Sequence, residues 1–243
     1  MATGTAAPHD ALVLVNALAL RARWERPFPP HATLPRPFTP AVGATVPVAT
    51  MQRPLPPDDV WTVGGVTVVE LPCRAPRGRR PARVRFALGP AGAGAAEVVP
   101  ATWARRGRGP DADVVELRLP RFELRGRLDL AEHLRALGAS VALTPAADFS
   151  GLSAARPFVA QVVQEALVRV AEKGVEAAAV TALGMRAAAV TDRRRRVVVA
   201  FDRPFAVAVL DASGRVPLVV GWQATVPKGR QPRLDDLDDL SDG

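Results

Sequence analysis

The chain of 243 residues has a single cysteine, Cys73, and no tyrosine. One cysteine excludes a framework of internal disulfide bonds. The histidines His9, His31 and His133 lie far apart and no CxxC or HExxH motif occurs, so we expect neither a metal ion nor a cofactor. No apolar run near the start reaches the roughly 20 residues of a membrane helix, and residues 1–10 show no secretory signal, so we expect no membrane partner.

Motifs for enzymatic chemistry are also missing. Ser150 lies in DFSGLS rather than in GxSxG, and the nearest histidine along the chain, His133, falls in a predicted helix. No phosphate-binding or dinucleotide-binding glycine motif follows a strand. We therefore predict that the protein is not an enzyme.

Lysine is scarce although the chain is basic, with a net charge of +8. Lys173 and Lys228 are the two lysines among 32 basic residues, and this arginine bias is typical of a GC-rich, bacterial-like genome. The arginine clusters within residues 77–85, 105–108 and 193–196 are interpreted as solvated loops. Few aromatic residues separate these arginines, so a nucleic-acid partner is not favoured, while a polyanion is an alternative.

Short apolar and β-branched runs predict a chain rich in strands. The predicted strands cover residues 45–50, 63–71, 114–119, 197–200, 205–210 and 216–220. Residues 11–20 are predicted as a strand or a short helix. The prolines between residues 27 and 40 predict a long connection that is not helical.

Two segments have helical spacing. Residues 128–137 predict a helix that begins near Asp129 and ends before Gly138. Its apolar face would consist of Leu130, Leu134 and Leu137. The apolar positions of residues 158–170 also predict a helix when periodicity alone is considered.

Residues 172–189, EKGVEAAAVTALGMRAAA, are small and almost uncharged beyond residue 181. They are typical of an alanine-rich helix or a flexible linker. As a strand, however, the segment would have a small, uncharged face suited to insertion between two existing strands. That face would carry Val175, Ala177, Ala179 and Thr181, and the opposite face Glu176, Ala178 and Val180.

The stretch EKGVEAAAVT resembles the hinge of the reactive-centre loop of the serpins, the serine protease inhibitors. Other stretches are similar to the same family and follow its order. These are LVNAL with Trp24-Glu25 and Pro27-Phe28, FTPAVGATVPVATM, VVELP, LPRFEL, LGASVALTPAADFSGLS, DRPF and PLVVG. The resemblance covers about residues 11–227.

The resemblance implies an α+β, serpin-like fold with several sheets, truncated at its N-terminal side. The N-terminal helices and two strands of the sheet named A in this family would be absent. We expect disorder over residues 1–10, a partial serpin domain over 11–227 with the reactive-centre loop at about 174–196, and a disordered tail over 228–243. Residues 158–170 would be a strand of sheet A, contrary to their periodicity, and residues 11–20 an exposed apolar edge.

The resemblance also implies an inhibitor whose loop is cleaved, traps the protease as an acyl-enzyme and inserts into sheet A. The alternative is a non-inhibitory remnant that is only a protease substrate or a binding module. The implied hinge consists of Glu172, Gly174, Val175, Glu176, Ala177, Ala178, Ala179 and Thr181. Asn16, Trp24 and Gln164 would lie where the sheet opens, Gln164 at a position that is usually histidine.

Counting along the family's loop places the cleaved bond at Ala188-Ala189, with Arg193 and Arg186 as alternatives. A small residue there implies a subtilisin-like or elastase-like serine protease as partner, and an arginine implies a trypsin-like one. The family implies an extracellular protein, and the lack of a signal makes a cytoplasmic one the alternative.

Overall fold

The computed structural model describes residues 11–19, 22–75, 78, 80–153, 157–175 and 195–229. The strands of this part of the chain are β1 (Ala11–Ala19), β2 (Ala22–Arg23), β3 (Leu34–Phe38), β4 (Val46–Leu55), β5 (Val60–Val63), β6 (Val66–Pro72), β7 (Arg83–Leu88), β8 (Val114–Pro120), β9 (Phe122–Asp129), β10 (Phe158–Ala171), β11 (Gly174–Val175), β12 (Arg196–Ala200), β13 (Phe205–Leu210) and β14 (Pro217–Gln223). Helices are short: α1 (Ala95–Val98), α2 (Ala131–Ala136) and 3-10 turns at Pro30–Ala32, Pro57–Asp59, Val99–Thr102 and Val141–Leu143.

These strands form three sheets. Sheet A has the order β1-β10-β11-β2, and β9 also pairs with β10. Sheet B has the order β14-β13-β7-β6-β5, and sheet C the order β12-β8-β4-β3. All the strands predicted above are confirmed, although residues 63–71 form parts of two strands joined at Gly64 and Gly65, which both have positive φ.

The chain divides into two compact units, Met1–Ala19 with Arg125–Leu167 and Leu20–Leu124 with Val168–Gly243. In the first unit Leu143, Val159 and Val162 form a small buried cluster. The second unit has a larger core with five phenylalanines packed edge to face, among them Phe86, Phe201 and Phe205. This core supports sheets B and C from inside.

Residues 158–170 lie in strand β10, so the helix predicted from periodicity is wrong and the strand implied by the family resemblance is confirmed. The reason is a β-bulge. Leu12 pairs with Val159 and Val13 with Gln161, which leaves Ala160 as an extra residue. The bulge puts Val159 and Val162, three residues apart, into one buried cluster, and this spacing imitates a helix.

The helix predicted over residues 128–137 is shorter in the structure. Strand β9 continues to Asp129, and α2 covers Ala131–Ala136. Asp129 accepts a hydrogen bond from the Ala131 amide, and Gly138 follows the helix with φ +92°. The predicted apolar face is wrong at Leu137, which is 82% exposed because the helix ends before its side chain can reach the core.

The proline-spaced segment is also more regular than predicted. Residues Pro30–Ala32 form one 3-10 turn, and β3 follows with Pro35 and Pro37 inside it. Because β3 is an edge strand of sheet C, prolines without an N–H group are tolerated there.

The predicted disordered ends, residues 1–10 and most of 228–243, lie outside the described residues; Lys228 and Gly229 are described and exposed. Among the described helices, none is sufficiently long and apolar to span a bilayer.

Candidate functional site

The site lies where the chain leaves sheet A. After β10 the chain turns through Glu172 and Lys173 and returns as β11, antiparallel to β10. On its other side β11 pairs with β2, Gly174 opposite Arg23. Gly174 has φ +155°, a backbone conformation that a residue with a Cβ atom rarely adopts. The part of the chain that leaves sheet A thus begins as β11, a strand that is hydrogen-bonded on both edges.

Trp24 and Phe28 hold the turn between β10 and β11. The Trp24 indole Nε1 donates to the Ala171 carbonyl at 2.9 Å, and its backbone N–H donates to Lys173 at 2.9 Å. The Phe28 amide donates to the Glu172 carbonyl at 2.8 Å. Trp24 is buried, and its ring meets Phe86 edge-on at 6.4 Å. The backbone at the root of β11, the turn through Glu172 and Lys173, is therefore fastened to the core of the second unit.

The Glu172 side chain is the ionic anchor of this root. Its Oε1 atom accepts hydrogen bonds from Arg121 Nε at 2.6 Å, from Arg121 Nη2 and from Thr33 Oγ1 at 2.5 Å. Both members of the ion pair are largely buried. Burial alone would raise the pKa of Glu172, but the hydrogen bonds from Arg121 and Thr33 outweigh it and hold the pKa below its ordinary value. The carboxylate is thus charged at neutral pH.

A second buried cation lies beside this anchor. The Arg53 guanidinium on β4 stacks over the Phe28 ring at 5.0 Å from its centroid. Desolvation lowers the pKa of Arg53 to about 10, so it is charged at neutral pH. Its Nε atom has no hydrogen-bond partner among the described residues. Arg53 thus packs against the residue whose amide binds Glu172.

The chain re-enters the described structure at Arg195, immediately before β12 of sheet C. Arg195 Nη1 donates to Asp111 at 2.6 Å, and its amide donates to Asp113 at 2.8 Å. The Asp113 amide in turn donates to the Arg195 carbonyl at 2.9 Å. The segment 176–194 thus connects two different sheets and is held at each end by an arginine and a carboxylate.

The structure brings together four of the predicted site residues, Trp24, Glu172, Gly174 and Val175. Asn16 and Gln164 form a separate pair, opposite each other in the register of β1 and β10 in the first unit, with Asn16 exposed and Gln164 half-buried. The remaining predicted residues lie outside the described residues: Glu176, Ala177, Ala178, Ala179, Thr181, Arg186, Ala188, Ala189 and Arg193.

Sequence reasoning did not single out Thr33, Arg53 or Arg121. Arg121 lies within the LPRFEL stretch, but nothing local pairs it with a glutamate 51 positions away. Thr33 and Arg53 carry no sequence signal that distinguishes them from neighbouring surface residues.

Three sheets and a few short helices, with a chain that leaves one sheet after β11 and enters another at β12, define a multi-sheet α+β protein. The family described as Serpin (serine protease inhibitor) matches residues 2–225. This chain belongs to the serpin family, whose members are in general protease inhibitors rather than enzymes.

Individual relatives are similar to this chain over most of its length. Ipis-1 of Ixodes persulcatus is 32% identical over 231 residues, which is 91% of this chain and 59% of the relative. Iris of Ixodes ricinus is 31% identical over 231 residues, again covering 91% of this chain and 59% of the relative.

Solved structures show the same fold. The thermophilic serpin Tengpin in its native state gives a TM-score of 0.71 at 22% identity, covering 90% of this chain and 57% of the other. Serpin48 of the insect Tenebrio molitor gives a TM-score of 0.66 at 24% identity, and the match covers 88% of this chain and 56% of Serpin48. The serpin-like fold is thereby confirmed, and the chain spans less than three-fifths of the length of each of these relatives.

Among the described residues no group of three or more histidine, cysteine, aspartate or glutamate side chains is arranged to hold a metal ion.

Proposed function

We propose that this chain inhibits a serine protease through the segment 176–194, which serves as bait. The protease serine attacks the carbonyl of the bait residue, the peptide bond breaks, and the new amino terminus leaves with a proton. The chain stays attached to the protease as an ester. The freed segment then extends β11 along β10, which requires β1 to separate from β10, its present partner over residues 158–167. The position of β11, paired on both edges, is the observation that supports this function most strongly.

Insertion traps the protease because it displaces the attached serine. A strand advances about 3.3 Å per residue, so insertion from residue 176 to residue 188 would move the ester by about 40 Å. The face formed by Val175, Ala177, Ala179 and Thr181 is small and uncharged, so these side chains can enter a sheet without overpacking. The β1–β10 ladder is lost, but the inserted strand forms one ladder on each of its edges, so the net gain of backbone hydrogen bonds favours the inserted state.

The bait sequence suggests the class of target. We propose Ala188-Ala189 as the cleaved bond, which suits a subtilisin-like or elastase-like protease. Arg186 or Arg193 would suit a trypsin-like protease instead. Such an encounter is expected outside the cell, in keeping with the family resemblance.

A second candidate function is favoured by strand β1. It pairs with β10 on one edge, and Val13, Leu14 and Val15 are 55%, 48% and 69% exposed. An apolar strand so exposed is an aggregation hazard. Such a surface can bind another protein. A chain that uses it in this way would be a binding module, or only a protease substrate, and would not trap the protease by loop insertion.

A denaturing gel with intact-mass analysis tests the proposed function. The chain is mixed in turn with subtilisin, pancreatic elastase and trypsin, and the remaining protease activity is measured. Inhibition predicts a band at the summed mass that survives heating in detergent, loss of protease activity, and a released peptide whose mass identifies the cleaved bond. A protease with its serine chemically blocked is the control and should give no such band.

Rapid cleavage within residues 176–194 with full protease activity would contradict inhibition and support the substrate function.

A further inference from the structure

A cavity of about 800 Å³ opens on the second unit, where three chain connections meet. Its walls come from the connection between β3 and β4, the glycine- and alanine-rich segment between β7 and α1, and the connection between β12 and β13. The volume falls within the range of pockets that bury small organic ligands. Its lining includes neither the residues that precede the segment 176–194 nor Arg195, which follows it.

The three connections are fastened to one another, so the cavity exists without a ligand. The Thr39 amide donates to the Asp202 carbonyl at 2.8 Å. Arg203 donates from Nε and Nη2 to the Gly89 carbonyl at 3.2 and 2.9 Å. A Cβ atom at Gly89 would lie 2.5 Å from Val98, so this close approach requires glycine. A pre-formed cavity loses little entropy when a ligand binds.

Positive charge dominates the polar lining, which includes Arg36, Arg118, Arg203 and the single carboxylate Asp202. Asp202 binds Arg203 at 2.8 Å, and Arg118 binds Glu116 through two short hydrogen bonds. Arg36 donates to the neutral amide of Gln52 at 3.2 Å and forms no ion pair among the described residues. Its charge is therefore available to an anion.

Apart from Thr39 and Thr50, the remaining walls are apolar or glycine, and they include Trp222 and prolines. A flat apolar body can pack against such walls while an anionic group reaches Arg36. We infer that the cavity binds a small organic anion, with a flat ring system and one carboxylate, sulfonate or phosphate group. This inference does not depend on the inhibitory function.

Titration of the folded chain with 2-naphthoate tests the inference, observed by NMR of the indole N–H groups of the four tryptophans. The Trp222 signal, assigned from W222F, is expected to shift, while those of Trp24 and Trp61, both buried in the core, stay in place. The neutral 2-naphthalenemethanol and inorganic phosphate serve as controls. Each should bind about tenfold more weakly, since one lacks the charge and the other the apolar body.

Variants locate the ligand. R36Q is expected to weaken 2-naphthoate binding about tenfold, since a charge-assisted hydrogen bond is lost. R215Q removes an exposed arginine elsewhere and should change nothing. A91F places a ring at the exposed cavity wall and should also weaken binding; R36M repeats the charge test if R36Q fails to fold.

Absence of binding at ~10 mM, which corresponds to less than about 3 kcal/mol, would overturn the inference. Equal binding of the neutral compound, or of wild type and R36Q, would overturn it as well.

Discussion

Replacing Glu172 by glutamine is expected to lower the free energy of unfolding by about 2 kcal/mol. The substitution keeps the size of the side chain but removes its negative charge. That charge is neutralised by Arg121 and accepts a hydrogen bond from Thr33. Arg121 would then stay largely buried without a counter-charge, which is the costly half of breaking a buried pair. Urea unfolding followed by circular dichroism measures the change.

A double-mutant cycle isolates the pair. E172Q, R121Q and the double variant are expected to show a coupling energy of about 1–3 kcal/mol, because the double variant leaves no unpaired charge. E132Q is the matched control, since Glu132 forms an exposed pair with Arg135 in α2 and should contribute less than about 0.5 kcal/mol.

The effect of E172Q depends on pH in a direction set by the lowered pKa of Glu172. A carboxyl group whose pKa is lower in the folded state stabilises that state above its unfolded pKa of about 4.3. The difference between wild type and E172Q should therefore be constant above about pH 5 and shrink as the pH falls through the lowered folded pKa. Additive effects of E172Q and R121Q on the free energy of unfolding would contradict the ionic anchor. A stability difference between wild type and E172Q that grows at low pH would contradict it as well.

Replacing Ala179 by glutamate is expected to convert an inhibitor into a substrate. If residue 179 enters sheet A on the inward face, A179E would bury an unpaired carboxylate, at a cost of several kcal/mol. Insertion competes with hydrolysis of the ester, and each 1.4 kcal/mol changes that partition about tenfold. The number of chains consumed per inhibited protease should rise at least about tenfold, as measured by titration of protease activity.

The neighbouring residue gives a matched control for the hinge. A178E adds the same charge on the opposite face of the proposed strand, where it can remain in water. It should inhibit nearly as well as the wild type. If both variants lose inhibition equally, or if neither loses it, the hinge does not insert with the alternation of faces proposed here.

The strands of sheets B and C were predictable where apolar residues are continuous, as in β13. Strand β7 was not recognised because Arg83 and Arg85 made it look like a solvated loop. In the structure Arg85 is 9% exposed and binds Glu70 at 2.9 Å and the Thr102 carbonyl at 3.1 Å. A buried arginine of this kind is satisfied by partners 15 and 17 positions away, which no local pattern reveals.

The candidate site was predictable from the resemblance and not from periodicity. Trp24 and Glu172 belong to stretches that resemble the family, and the structure places both at the turn between β10 and β11. The periodicity of β10 predicted a helix because of the bulge at Ala160, since one extra residue exchanges the two faces of a strand. Arg121 was not predicted because its role depends on a contact with Glu172, 51 positions further along the chain.

Thermal unfolding of the chain before and after cleavage tests the central claim, that the segment beyond Val175 joins sheet A. The chain is cut by a trace of protease, the position within residues 176–194 is confirmed by mass, and both forms are heated. Insertion adds about ten backbone hydrogen bonds and about 5 kcal/mol, so the midpoint should rise by ~10 °C or more. The cut A179E variant should show no rise. A midpoint that is unchanged or lower in the cleaved wild type would contradict loop insertion.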